Sequence, residues 1–534
     1  MDAAAGLTIA AAVPPLKEAG ICAAAVLAAA AVLAPPPKVR ALAMLAALAL
    51  TPVLLVAEVW DTPQVRPLRD RPALAAAAAV AGLVLLVAAA LLIRRKPAVF
   101  AVAAVAMLPF RLPVQSGGET ANLLLPLYFV IGAGVLAWAI GRLREDEPPP
   151  RPRPGLLEWA LAGAVVIYAV QAAYTTDFSK ALQQVVFFYV PFLLLFGLLT
   201  QVRWDRRLLT VCLAVLVGEA VVFTAVGVVE FATRRLFLNP KVIASNQLES
   251  YFRVNSLFFD PNIFGRFLML VMLAVVSVML WAKRSRTVVG CAVLLAVLWG
   301  GLILTLSQSS LSALVLGLVV LGGLRWSVKW AALLAGGALL AGAAIVLLAP
   351  GAVGVKNRSL DRATSGRADL VKGGVRLFEA KPVLGWGSGA FEPEFRKAEK
   401  VSNEQAASAS HTIPITVAAE QGLVGLAVYL LLLVAGLVRV LRGARASPAR
   451  AAIGAMFVAL VFHTWLYAAF LEDPALWALL GVGTALAAAA ARERAGEPAW
   501  PGAAPEPSAE GPSGDEPGDE PGDAPEGPAL PAPA

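Results

Sequence analysis

Residues that usually carry metal, redox and nucleotide chemistry are scarce in this chain. Its 534 residues include three cysteines and two histidines, and only 15% are charged. Cys22, Cys212 and Cys291 each fall inside an apolar run, where a disulfide framework does not easily form and small packing residues are expected. His411 and His463 stand far apart, there is no cysteine pair, and no Asp-x-Asp occurs. No metal site is therefore expected. A Gly-rich loop ending in Lys-Ser/Thr is also missing, so nothing points to nucleotide hydrolysis, and no cofactor is expected. The apolar start from Ala3 to Val13 has no basic region before it and runs into Pro14-Pro15. No cleavable signal is expected, and later helices must direct insertion.

What the chain has in excess is hydrocarbon. Hydrophobic residues make up 59% and the mean hydropathy is +0.74, more than a soluble core of this length can hide. The apolar residues come in runs of about 17 to 25, the length that crosses a layer of roughly 30 Å as a helix. Fifteen such runs extend from 20–34 to 475–491 and include 97–113 and 330–349. The fold class expected is an all-α polytopic membrane protein with about 12–15 transmembrane helices.

Charge sets the orientation. The formal net charge is +8, yet nine acidic residues follow Arg494, the last basic residue, leaving the remainder near +17. Arg94-Arg95-Lys96, Arg142 to Arg153, Arg203 to Arg207, Lys283 to Arg286, Arg325 to Lys329 and Arg439 to Arg450 fall on one side when the spans alternate. By the positive-inside rule that side is the cytoplasm, and a nucleic-acid partner is not expected. The organisation that follows is 1–144 N-terminal spans, 145–154 a Pro-rich cytoplasmic linker, and 155–349 central spans with an outer loop 231–256. A large outer loop 350–411 with short amphipathic helices, C-terminal spans 412–491 and a disordered Pro/Glu-rich tail 492–534 complete it.

The outer loop 350–411 holds ten basic and seven acidic residues. Arg358 and Arg362, then Lys372 and Arg376, recur at four-residue spacing around Leu370, Val371, Leu377 and Phe378, as in a basic amphipathic helix on a membrane surface. The loop ends at His411-Thr412, with Pro414 in the first turn of the next helix. A helix start disfavours imidazolium, so His411 could accept the proton of an attacking hydroxyl, or simply be a polar residue at a helix end. Asp260-Pro261 marks another helix start. Arg266 lies little more than one turn beyond it, where a guanidinium needs a partner such as Glu219 or Glu230, or a ligand. His463, inside the run 451–471, either bridges helices or meets an acceptor.

These segments resemble the O-antigen ligase and polymerase family. The matching stretches are Pro382-Val383-Leu384-Gly385-Trp386-Gly387, then His411-Thr412 with Gly422 and Gly425 in the next helix, and Arg253-Val254-Asn255-Ser256 through Asp260-Pro261-Asn262 to Arg266. A further stretch, Leu304 to Ser310, carries Gln308 where many members have arginine, and Arg367 matches a short basic motif upstream. The resemblance covers roughly residues 180 to 480. It implies a bacterial inner-membrane glycosyltransferase that moves a glycan from an undecaprenyl-diphosphate donor to a glycan, lipid or protein acceptor at the outer face. In that family pattern His411 is the catalytic base, and Arg253, Arg266 and Arg367 bind the diphosphate. Gln308, Asp260, Asn262, Thr412, Gly422, Gly425 and His463 support them. The readings that remain open are a polymerase with the same donor, a monophosphate-lipid transferase using Asp61 or Asp70, and a lipid flippase lined by Glu219, Arg266 and His463.

Overall fold

The computed structural model describes residues 2–59, 66–116, 119–144, 153–238, 252–327, 367–400, 412–467 and 469–497, with isolated positions between 329 and 340. Residues up to 488 form one compact unit. Its helices are α1 (Asp2–Leu33), α2 (Pro37–Val59), α3 (Arg66–Arg69), α4 (Pro72–Arg95), α5 (Ala98–Met107), α6 (Leu125–Arg144) and α7 (Leu156–Gln171). Next come α8 (Phe178–Gln184), continued through a π-helical turn into α9 (Val190–Leu199), then α10 (Arg206–Thr233), α11 (Pro261–Trp281), α12 (Ser285–Thr305) and α13 (Gln308–Arg325). The rest are α14 (Arg367–Ala380), α15 (Phe391–Glu399), α16 (Ile413–Leu441), α17 (Pro448–Leu466) and α18 (Pro474–Arg494).

Among the described residues, thirteen helical segments are long and apolar enough to cross a membrane. The chain is a multi-pass, essentially all-helical membrane protein. The run expected to span at 97–113 departs from that pattern. Its helix α5 has ten residues, about 15 Å of rise and half a hydrocarbon layer. It stops where Pro109 and Pro113 interrupt the helical ladder. A two-stranded antiparallel hairpin follows, β1 (Leu112–Ser116) against β2 (Glu119–Leu123), with Leu112 opposite Leu123. The run 330–349 lies largely outside the described residues, as do Arg358, Arg362 and most of the tail.

Contacts between helix ends define the two faces of the bundle. At one end Arg439 pairs with Glu158 at 3.2 Å, Arg325 donates to Leu280 O, Arg445 to Gly323 O and Ser277 to Pro448 O. The basic loops that follow α11, α13 and α16 gather there. The ends of α10, α12 and α17 and the starts of α11, α13 and α18 meet at the other end, built around residues 252–266, 305–310 and 463–473.

The amphipathic helix expected in the 350–411 loop forms as α14, and two residues of its apolar face are buried against protein. Leu370 and Leu377 pack on Phe391 and Phe395 of α15 and on Ala419 of α16. Lys372 and Arg376 point outward and pair with Asp369 and Glu399. This small subdomain rides on the first turns of α16.

Candidate functional site

Asp260 starts α11 as its sequence foretells. Its carboxylate accepts from Asn262 N at 2.6 Å, and Pro261 takes the first turn, where no N–H is needed. One turn later Arg266 is 2% exposed. The partners expected for it were Glu219 or Glu230, and the structure replaces both with Asp473. Arg266 Nη1 meets Asp473 Oδ2 at 2.5 Å and also donates to Ala469 O, while Nη2 reaches Tyr467 O. Glu230 is committed elsewhere: its carboxylate accepts from the backbone N–H groups of Phe237, Asn255 and Ser256, fixing the chain just before Asp260.

Arg266 Nε donates to His463 Nδ1 at 3.2 Å. A guanidinium can only donate, so Nδ1 must be the acceptor and the neutral ring carries its proton on Nε2. That nitrogen lies 3.0 Å from Ser310 Oγ and 3.2 Å from Ser309 Oγ, and Ser310 Oγ is 2.8 Å from Ser307 Oγ. Ser307 caps α13 by accepting from Ser310 N. These hydroxyls come this close to α11 because residue 265 is glycine: a Cβ there would stand 2.7 Å from Ser310 Oγ. His463 thus bridges helices, one of the two roles its sequence context allowed. Arg253 donates to Thr305 O and to Asn262 Oδ1, both at 3.0 Å. Gln308, the first residue of α13, is exposed beside this knot.

Tyr467 completes the cluster. Burial raises its phenol well above the ordinary tyrosine range, and the Asp260 carboxylate it hydrogen-bonds raises it further, against the opposing charges of Arg266 and Arg111. It therefore stays protonated as a donor. Arg266, Asp473 and Arg111 also line the end of a cavity of about 840 Å³ between α5, α10, α11, α17 and α18. Its lining along α11 runs from Ile263 to Trp281, about 27 Å at helical rise, close to the depth of a hydrocarbon layer. The walls are chiefly aliphatic and aromatic.

A second assembly uses the glycines. Helix α16 breaks at Gly422, which has φ +63° and ψ −160°. A break at membrane depth must find partners for its freed backbone groups. The loop 382–387 supplies them. Trp386 N and Gly387 N donate to Ala419 O and Glu420 O, and Leu423 N and Val424 N donate to Pro382 O and Val383 O. The side chain of Gln171 caps Leu384 O and Gln421 O. A Cβ at Gly422 would stand 2.3 Å from Val383 O, and one at Gly385 2.3 Å from Glu420 O. Buried Glu420 accepts from Phe391 N at 3.2 Å and holds the start of α15. Thr412 is the N-cap position of α16, Pro414 lies in the first turn as expected, and Gly425 packs under Gln421.

Residues 292–430 match the family model described as O-Antigen ligase. That segment belongs to the O-antigen ligase family. No curated sequence matches the chain. The O-antigen ligase segment holds Ser307 to Ser310, Arg367 at the start of α14, and the glycine assembly. Arg253, Arg266, His463 and Asp473 lie outside it and reach it through Thr305, Ser309 and Ser310. Of the site residues expected from sequence, the structure brings together Arg253, Asp260, Asn262, Arg266 and His463. Thr412, Gly422 and Gly425 belong to the glycine assembly, and His411 lies outside the described residues, as does Asp61. Asp70 forms an exposed pair with Arg66.

Sequence reasoning missed Asp473, Tyr467, Arg111 and Glu420. Asp473-Pro474 repeats the Asp-Pro signature of residues 260–261, and its carboxylate likewise accepts from the N–H two residues on, Ala475 N. That repeat was the available signal.

Proposed function

We propose that this O-antigen ligase/polymerase-type membrane enzyme transfers a glycan from a polyprenyl-diphosphate lipid to an acceptor hydroxyl, at the outer face of a bacterial cytoplasmic membrane and without a metal. The cavity carries this reading: an apolar slot as deep as a hydrocarbon layer, ending at guanidinium groups, suits a long hydrocarbon bearing a diphosphate. The basic loops after α11, α13 and α16 lie at the end away from Arg266, which by the positive-inside rule supports an outward-facing site.

In this mechanism the acceptor oxygen attacks the anomeric carbon as the bond to the diphosphate oxygen breaks, and the hydroxyl proton passes to His411, one residue before the N-cap of α16. Arg266 is a donor fixed in place by Asp473, and Arg253, Arg111 and Arg367 add charge around the leaving group. A single displacement inverts the anomeric centre. The apolar middle of the cavity argues against the flippase reading, in which a polar headgroup would have to pass along it.

Glycan transfer in proteoliposomes from an undecaprenyl-diphosphate oligosaccharide, with EDTA present, tests the proposal. The wild type transfers and His411→Ala does not; one addition marks a ligase and a ladder marks a polymerase. Full activity without His411 removes it as the base and moves attention to the carboxylate Asp61.

A further inference from the structure

The same cavity has a second charged end that glycan transfer does not use. At the basic end its lining includes Arg206 at the start of α10, together with Lys283 and Arg284 between α11 and α12. All three side chains are exposed, and none is paired with a described carboxylate. The nearest acid in sequence, Asp205, is engaged in accepting from Leu208 N at 2.7 Å. Trp204 and Trp281 flank this end, where amphipathic rings sit at headgroup level. From there the lining runs inward as Leu209, Leu213, Val278, Ala274 and Leu270.

We infer that this end of the cavity is a binding site for an anionic phospholipid of the adjacent leaflet, with its phosphate among Arg206, Lys283 and Arg284 and its acyl chains along α11. Three cations alone would be an ordinary basic surface. What makes them a lipid site is that they border an apolar slot running directly into the hydrocarbon, so charge and chain are recognised together. Arg207 and Arg286 are equally exposed and sit beside these residues, but they do not line the cavity. The slot is also deeper than one leaflet, leaving its Arg266 end for a different lipid. The inference does not depend on the transfer reaction.

Native mass spectrometry of the delipidated full-length protein, titrated in detergent with phosphatidylglycerol or phosphatidylcholine, tests it. The wild type is expected to prefer phosphatidylglycerol, and inorganic phosphate is expected not to displace it. With each cation worth about fivefold near an anionic lipid, the Arg206→Ala/Lys283→Ala/Arg284→Ala variant should bind on the order of 100-fold more weakly. Arg207→Ala/Arg286→Ala should bind like the wild type. Val278→Trp, which fills the slot and leaves the charges in place, should also lose the lipid. Equal binding of phosphatidylcholine, an equal loss in the Arg207/Arg286 variant, or undiminished binding by Val278→Trp would each overturn the proposal. So would retention of only a polyprenyl lipid that phosphatidylglycerol cannot replace.

Discussion

Arg266 and His463, 197 positions apart in sequence, share a 3.2 Å hydrogen bond inside the bundle, and that bond decides which nitrogen of the imidazole carries the proton. It joins an Asp–Arg pair on one side to a row of serine hydroxyls on the other. The knot therefore ties α11, α13, α17 and the start of α18 at the end where the proposed chemistry occurs.

Breaking the pair should be costly. Asp473→Ala leaves a guanidinium buried without its counter-charge, a change worth about 3 kcal/mol. The expected result is a large fall in the melting temperature of the detergent-purified protein, with Arg266→Met/Asp473→Leu recovering much of it.

His463→Gln tests the tautomer. An amide can accept from Arg266 and donate to Ser310, as the ring does, whereas alanine can do neither. Individual interhelical hydrogen bonds in membranes average about 0.6 kcal/mol. His463→Gln should stay within about 1 kcal/mol of wild type in thermal unfolding, and His463→Ala should fall by about 2 kcal/mol, having also opened a cavity.

The helix break makes a sharper prediction. Gly422→Ala meets both a positive φ and a backbone oxygen at 2.3 Å. Flexible side chains can move aside, but here the obstacle is main chain. Gly422→Ala and Gly385→Ala should each lower the yield of monodisperse protein severalfold in size-exclusion chromatography. Gly163→Ala, with no neighbour within 4 Å, should leave it unchanged.

Gln308→Arg places an arginine where the resemblance leads one to expect it. The position is exposed in the first turn of α13, so the charge costs only the few tenths of a kcal/mol that a helix start imposes on a cation. Stability should be nearly unchanged while KM for the proposed polyprenyl-diphosphate donor falls in the transfer assay.

Much of this fold was legible in advance because lipid imposes one rule, a helix about 20 residues long, on every span. The start of α11 could be read from Asp260-Pro261 for an equally local reason. The run 97–113 misled because hydropathy counts apolar residues and takes no account of where prolines stop a helix. Arg266 was correctly marked as needing a partner. The partner was misjudged because Glu219 and Glu230 are nearer in sequence, and Asp473 comes into reach only when the residues just before α18 meet the first turns of α11. The glycines of 385–425 were visible as turn formers. That two of them meet across a broken helix is a tertiary fact with no local trace.

The zipper between residues 382–387 and 419–424 also orders events during synthesis. The loop strand leaves the ribosome more than thirty residues ahead of the backbone it pairs with, and until α16 is in place and broken at Gly422 the N–H and C=O groups of 382–387 can be satisfied only by water. The α14–α15 subdomain therefore reaches its final packing, on Ala419 and the Glu420 carboxylate, only once α16 is beside it. Its final shape is then a report that α16 has broken at Gly422.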